Sequence, residues 1–148
     1  MDYEITVEDI PKIQVASLRY KGSVSDNFKY GLEIYMECRK VKCGPPISLY
    51  YDKERLDIMD IECCMPISEP IKSKKLQCKT LPAVRAICTT HYGSYDTIGN
   101  GYFALINFAK MNNLNIQFPT RLVFEAIPKS LVKINHDKII TKIVFPIE

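Results

Sequence analysis

Glu125 lies within Leu122-Val123-Phe124-Glu125-Ala126-Ile127, and a carboxylate in so apolar a strand must be solvated, paired or used. At the base of a cleft it neutralises an organic cation, and aromatic faces offer quadrupole attraction to the same charge. Desolvated, it could serve as a general base for water. Residues two apart on a strand share a face, so Arg121, Val123, Glu125 and Ile127 point together. Tyrosines supply the candidate rings. Tyr50 and Tyr51 end the short apolar run that follows Pro46, Tyr95 stands at the entry of a helical pattern, and Tyr102 comes two turns later. Glu125, Tyr50, Tyr51, Tyr95, Tyr102, Val123 and Ile127 are therefore the candidate ligand-binding residues. Tyr51 has core packing as its alternative, and Tyr95 and Tyr102 have ordinary packing of helix onto sheet.

Other chemistry is poorly represented. His91 sits beside the glycine turn and His136 in Asn135-His136-Asp137, so each reads as a turn residue, and no Ser-His-Asp or Cys-His constellation accompanies them. Cys38, Cys43, Cys63, Cys64, Cys78 and Cys88 contain no C-x-x-C and no zinc-finger spacing to a histidine. They read as free thiols in a reducing compartment, with no metal and no cofactor.

These residues are positioned by a chain that repeats its own pattern. Ile10-Pro11 is answered 71 residues later by Leu81-Pro82, and Lys21-Gly22-Ser23 by Tyr92-Gly93-Ser94 at the same spacing. Each copy, 10–67 and 81–147, runs through an apolar-periodic stretch to a proline and closes on Pro-Ile. Anchoring on Pro46 and Pro119 aligns Tyr50 with Val123 and Asp52 with Glu125, which makes Tyr50 the first-half partner of Glu125 in a cleft. Two copies are too few for a solenoid, so one pseudo-twofold domain over 1–148 is expected, with its site at the seam.

The first half reads as strands at 3–7 and 13–20, then a helix with Val24, Phe28, Leu32 and Tyr35 on one packing face, ending near Cys43 before Gly44-Pro45-Pro46. Strands follow at 47–51 and 56–65. The second half reads as 75–80 leading into a strand at 83–91. A helix with Ile98, Tyr102, Leu105 and Phe108 or Ala109 on its stripe comes next, with Tyr95, Phe103 and Ile106 on neighbouring faces, and strands at 121–127 and 139–145 close the half. The fold class is α+β: a tandem repeat of strand-helix-strand-strand modules, an antiparallel sheet with helices on one side and a ligand cleft between halves.

Composition narrows the function classes. At 148 residues with 47% hydrophobic and 25% charged side chains, the chain is of ordinary globular type. A scattered net charge of +3 gives no case for direct nucleic-acid binding, and the basic run 72–79 reads as a solvated bridge between halves. No apolar stretch reaches the ~20 residues of a membrane span. The acidic start Met1-Asp2-Tyr3-Glu4 is unlike a signal peptide, so a cytoplasmic location is expected.

Taken together in order, Ile10-Pro11, Leu49-Tyr50-Tyr51-Asp52, His91-Tyr92-Gly93-Ser94-Tyr95, Phe124-Glu125 and Phe145-Pro146-Ile147 resemble the GyrI-like effector-binding family. This is the small-molecule-binding domain also fused to DNA-binding domains in BmrR- and Rob-type regulators. The resemblance implies a cleft for bulky aromatic or cationic molecules, recognised by a buried glutamate among aromatic rings, and carries that glutamate to Glu125. Where the family commonly has Glu-x-Tyr, this chain has Glu125-Ala126-Ile127. Three readings follow: a stand-alone ligand-binding or drug-sequestering protein, since strand-like sequence from Tyr3 leaves no room for a preceding helix-turn-helix; a hydrolase of reactive small molecules using Glu125; and a protein-interaction module such as a gyrase inhibitor.

Overall fold

The computed structural model describes residues 2–127 and 138–148. Its elements are β1 (Thr6–Ile10), β2 (Ile13–Gly22), α1 (Asn27–Cys38), β3 (Ile47–Tyr50), β4 (Met59–Pro66), β5 (Gln77–Leu81), β6 (Val84–Tyr92), α2 (Gly99–Met111), β7 (Thr120–Ala126) and β8 (Ile140–Pro146). All strands pair antiparallel in one sheet of order β1-β6-β8-β7-β3-β4-β2-β5. That order reads the same from both ends when β1 is exchanged for β5, β2 for β6, β3 for β7 and β4 for β8. The repeat is thus a pseudo-twofold axis between β3 and β7, with the outermost strand of each half paired to the other half.

Those exchanged edge strands force the sheet to curl. β1 and β2 are six strand spacings apart in the sheet, about 29 Å if it were flat. Only Pro11 and Lys12 join them, a link spanning about 11 Å. The Pro82-Ala83 link between β5 and β6 imposes the same constraint. The result is a half-barrel buried on both faces. Alternate residues Ala16, Tyr20, Tyr50, Ile61, Ile87, Leu122 and Ile143 pack beneath Ile34 and Cys38 of α1 and Leu105 and Ala109 of α2. On the helix-free face, Val15, Ile47, Leu49, Cys64 and Leu81 form one cluster, Ala86, Cys88 and Val144 another, and Val123 touches both.

The two helices begin alike. Ser23 and Ser94 each accept a hydrogen bond from the backbone N–H two residues on, opening a single 3-10 turn before the α-helix. Gly93, with φ of 112°, takes a conformation open to glycine, and Gly101 lets α2 approach so closely that a Cβ there would lie 2.6 Å from Ile143 Cδ1.

Helix α1 corrects two expectations. Its packing face is Ile34 and Cys38 with Tyr30, whereas Phe28, Leu32 and Tyr35 are exposed. The repeat explains the choice: 71 residues before Ile98, Tyr102, Leu105 and Ala109 stand Asn27, Gly31, Ile34 and Cys38, and both helices use this face. Hydrophobicity alone selected the wrong stripe because Asn27 and Gly31 occupy inward positions. The helix also stops at Cys38, before the expected end near Cys43, because Val41 and Lys42 turn to pair with Ser68 and Ile67. His91 is likewise a buried residue of β6 rather than a turn residue; its Nε2–H donates to the Ser94 carbonyl (2.8 Å) and its Nδ1 accepts from the Tyr3 hydroxyl (2.8 Å). His136 lies outside the described residues.

The assignment of the α1 face is testable by urea unfolding. Ile34, 1% exposed, should cost about 2–4 kcal/mol when cut to alanine. Leu32, 54% exposed, should cost under about 0.5 kcal/mol. The reverse ranking would refute the assignment.

Candidate functional site

At the seam, Ile47 pairs with Val123, Ser48 with Leu122, Leu49 with Arg121 and Tyr50 with Thr120. Alternation sends Ser48, Tyr50, Leu122 and Phe124 towards the helices, and Leu49, Tyr51, Arg121 and Val123 into the half-barrel. The expectation that Tyr50 shares a face with Val123 is therefore corrected. Aligning the halves on Pro46 and Pro119 is one residue out at this strand, and a one-residue slip exchanges the faces.

The helix-side face is rich in aromatic rings. Tyr20 and Tyr30 lie tilted at 32° with centroids 4.3 Å apart, Tyr102 lies 5.6 Å from Phe145, and Tyr95 meets Phe124 edge-on at 6.1 Å. Tyr20, Tyr50 and Cys63 belong to one buried cluster against which Tyr102 packs, and burial pushes the Tyr50 phenol above its ordinary range. Burial likewise raises Tyr102 and Tyr20. All three stay neutral hydroxyls at physiological pH. Asn27, at the start of α1, is the polar centre of this region: its Oδ1 accepts from Ser48 Oγ (3.1 Å) and Cys63 Sγ, and its Nδ2 donates to the Tyr50 hydroxyl (3.4 Å). Tyr20, Tyr30 and Asn27 were not singled out from sequence, and Phe124 entered there as part of the Phe124-Glu125 motif without being named a site residue. The 71-residue spacing, which places Asn27 opposite Ile98 at a helix-packing position, is the signal that could have found Asn27.

Of the sequence candidates, the structure brings Tyr50 and Tyr102 together on this face, with Tyr95 against Phe124. Glu125 is exposed, at a bulge in β7 between Phe124 and Ala126, five residues or about 17 Å along the strand from the level of Tyr50. Its charge is felt by Lys142, which is itself ion-paired to Glu8 at 2.7 Å. Ile127 is exposed just beyond the end of β7. Tyr51 and Val123 belong to the opposite face and cannot line one cleft with Tyr50.

Among the described residues the buried carboxylate is Glu62, 1% exposed, on the helix-free face. Burial pushes its carboxyl up, but hydrogen bonds from Lys79, Tyr51 and Ser17 outweigh that and hold it below the usual carboxylate range. Lys79 Nζ lies 2.6 Å from one oxygen and the Tyr51 hydroxyl donates to the other at 2.6 Å. Arg19 caps the Tyr51 ring with Cζ 3.7 Å from its centroid. Glu62 was missed because Ile61-Glu62-Cys63-Cys64 gives no alternation by which to assign its face.

The six cysteines are unpaired, with Cys43 and Cys78 exposed and the other four buried. Burial pushes the Cys63 and Cys88 thiols up to about 12, which leaves them protonated and unreactive. Among the described residues no helix is long and apolar enough to cross a membrane.

No protein-family model and no curated protein matches the chain. Solved structures do. The crystal structure of the EcmrR C-terminal domain matches with a TM-score of 0.85 and 26% identity, over 100% of this chain and 99% of that one. EcmrR in its DNA complex matches at 0.86 and 25% identity, where the chain spans 57% of the longer protein. SAV2435 bound to tetraphenylphosphonium matches at 0.65 and 11% identity, covering 100% and 94% of the two chains. The curled eight-stranded sheet with two helices is the α+β fold of the GyrI-like effector-binding domains. The resemblance read from the sequence motifs thus holds in the structure.

The ion pair generates a prediction. Lys79→Met leaves Glu62 buried without its cation and should cost about 2 kcal/mol at pH 7, less than for a fully buried pair because Lys79 is partly exposed. In the wild type the lowered Glu62 carboxyl contributes fully above its unfolded value of about 4.3 and loses that contribution as pH falls through the folded value. The variant should lose this acid-side dependence. Equal stability of the two proteins across pH 3–7 would contradict the pairing.

Proposed function

We propose that the chain binds bulky, aromatic or cationic organic molecules on the helix side of the seam between its halves, as a ligand-binding or drug-sequestering protein. The observation that carries this reading is the packing of buried Tyr20 and Tyr50 and half-buried Tyr102 in one cluster on the helix side, with the Tyr95–Phe124 pair near its far end. Rings attract an organic cation through their faces and an aromatic ligand through offset and edge contacts. The tetraphenylphosphonium held by SAV2435 supports the ligand class.

In this reading Glu125 acts at the rim. It directly follows Phe124, whose ring meets Tyr95, and from its exposed position at the bulge it would act on a cation beside that pair as a long-range, solvent-screened attraction. A hydrolase would need Glu125 desolvated to activate water; its exposure at the bulge gives that reading no support.

Titration calorimetry with tetraphenylphosphonium tests the proposal. Tyr102→Ala should weaken binding at least tenfold. Glu125→Gln, which removes charge but keeps shape, should weaken it by ~1 kcal/mol, about fivefold, with thermal stability near wild type. Unchanged binding in Glu125→Gln alone would remove Glu125 from the site. Unchanged binding in both variants, or none in the wild type, would refute the helix-side site.

A further inference from the structure

The half-barrel interior holds a cavity of about 300 Å³ beneath the Leu81-Pro82 crossover, on the side of the sheet away from the helices. That volume is at the lower end of small-molecule sites. Its walls include Leu49, Leu81, Phe118 and Pro146, with Tyr51 and Lys79 at one side, and Arg121 is part of the lining.

Arg121 is 4% exposed. Its Nη2 donates to the Pro82 carbonyl at 3.0 Å, whereas its Nη1 is buried with no hydrogen-bond partner. No carboxylate among the described residues forms an ion pair with it. Glu62 is two strands away across Leu49, about 10 Å, and already holds Lys79 and Tyr51. A guanidinium has five N–H donors and cannot shed its charge as a lysine can, so burying one without an anion is costly. A clamp on one backbone carbonyl would not call for a charged group.

We infer that this cavity is a second ligand site, for a small organic carboxylate whose carboxyl group takes the place of the missing anion beside Arg121 and whose apolar body lies against Leu49, Leu81 and Phe118. The planar fork of a guanidinium matches a carboxylate edge to edge. A phosphate would bring more charge than one arginine in an apolar chamber can balance. The site is on the opposite face of the sheet from the aromatic seam, so the two stand or fall separately.

The test is titration calorimetry with 2-naphthoate and with its uncharged analogue 2-naphthalenemethanol. The wild type should bind one naphthoate with Kd below about 1 mM, and the alcohol at least tenfold more weakly. Arg121→Met should lose naphthoate binding at least tenfold while unfolding cooperatively. Arg121→Lys, which keeps the charge and loses the fork, should also be weakened, and it serves in place of Arg121→Met if that variant does not fold. Tyr102→Ala should leave naphthoate affinity unchanged. Absence of naphthoate binding to the wild type, or equal affinity in the folded arginine variants, would overturn the inference and leave Arg121 as a tie to the Pro82 crossover.

Discussion

Four registered residue pairs between β3 and β7 hold the two halves in one sheet, and every assignment of a side chain to a face depends on them. With Tyr50 opposite Thr120 and Leu49 opposite Arg121, aromatic residues go beneath the helices and the charged groups Arg121 and Glu62 go into the half-barrel. A shift of one residue would turn one strand over, placing either the Arg121 guanidinium on the helix side or the Tyr50 ring in the half-barrel. The exchanged edge strands β1 and β5 make such a shift costly, because each half would have to release the edge strand that the other contributes.

The two faces divide the work between unlike interactions. On the helix side, one polar group centres on Asn27 with Ser48, Cys63 and Tyr50, and another on His91 with Tyr3, Ser94 and Thr97. That side is held together by ring packing and single hydrogen bonds. Inside the half-barrel, burial strengthens electrostatics, so Glu62 requires Lys79 and Tyr51, whereas Arg121 has a backbone carbonyl and no carboxylate beside it. The same eight strands thereby carry ring packing on one side and buried charge on the other.

Much of this was legible in the sequence through the repeat. The constant 71-residue spacing of Pro11 and Pro82, and of Gly22 and Gly93, marked the two crossovers that curl the sheet and the two serine-capped turns that start the helices. The stripe of α2 was read correctly. That of α1 was not, because the large apolar side chains Phe28, Leu32 and Tyr35 recur at helical spacing, while packing selected the face that carries Asn27 and Gly31. Applying the 71-residue spacing to α2's stripe would have given the right answer. The seam was harder: the link from helix to strand differs in length between halves, so prolines at corresponding positions do not place corresponding residues on the same face. The bulge at Glu125 left no trace in the pattern, and the β3–β7 register, which sets Tyr50 opposite Thr120, separates that carboxylate from Tyr50 by five residues.

The most direct measurement is a crystal structure of the protein with tetraphenylphosphonium. The account predicts the phosphonium on the helix side of the β3–β7 seam, with some of its phenyl rings against Tyr50 and Tyr102 and others towards the Tyr95–Phe124 end. Phosphonium density inside the half-barrel beside Arg121, or on a surface away from both helices, would contradict it.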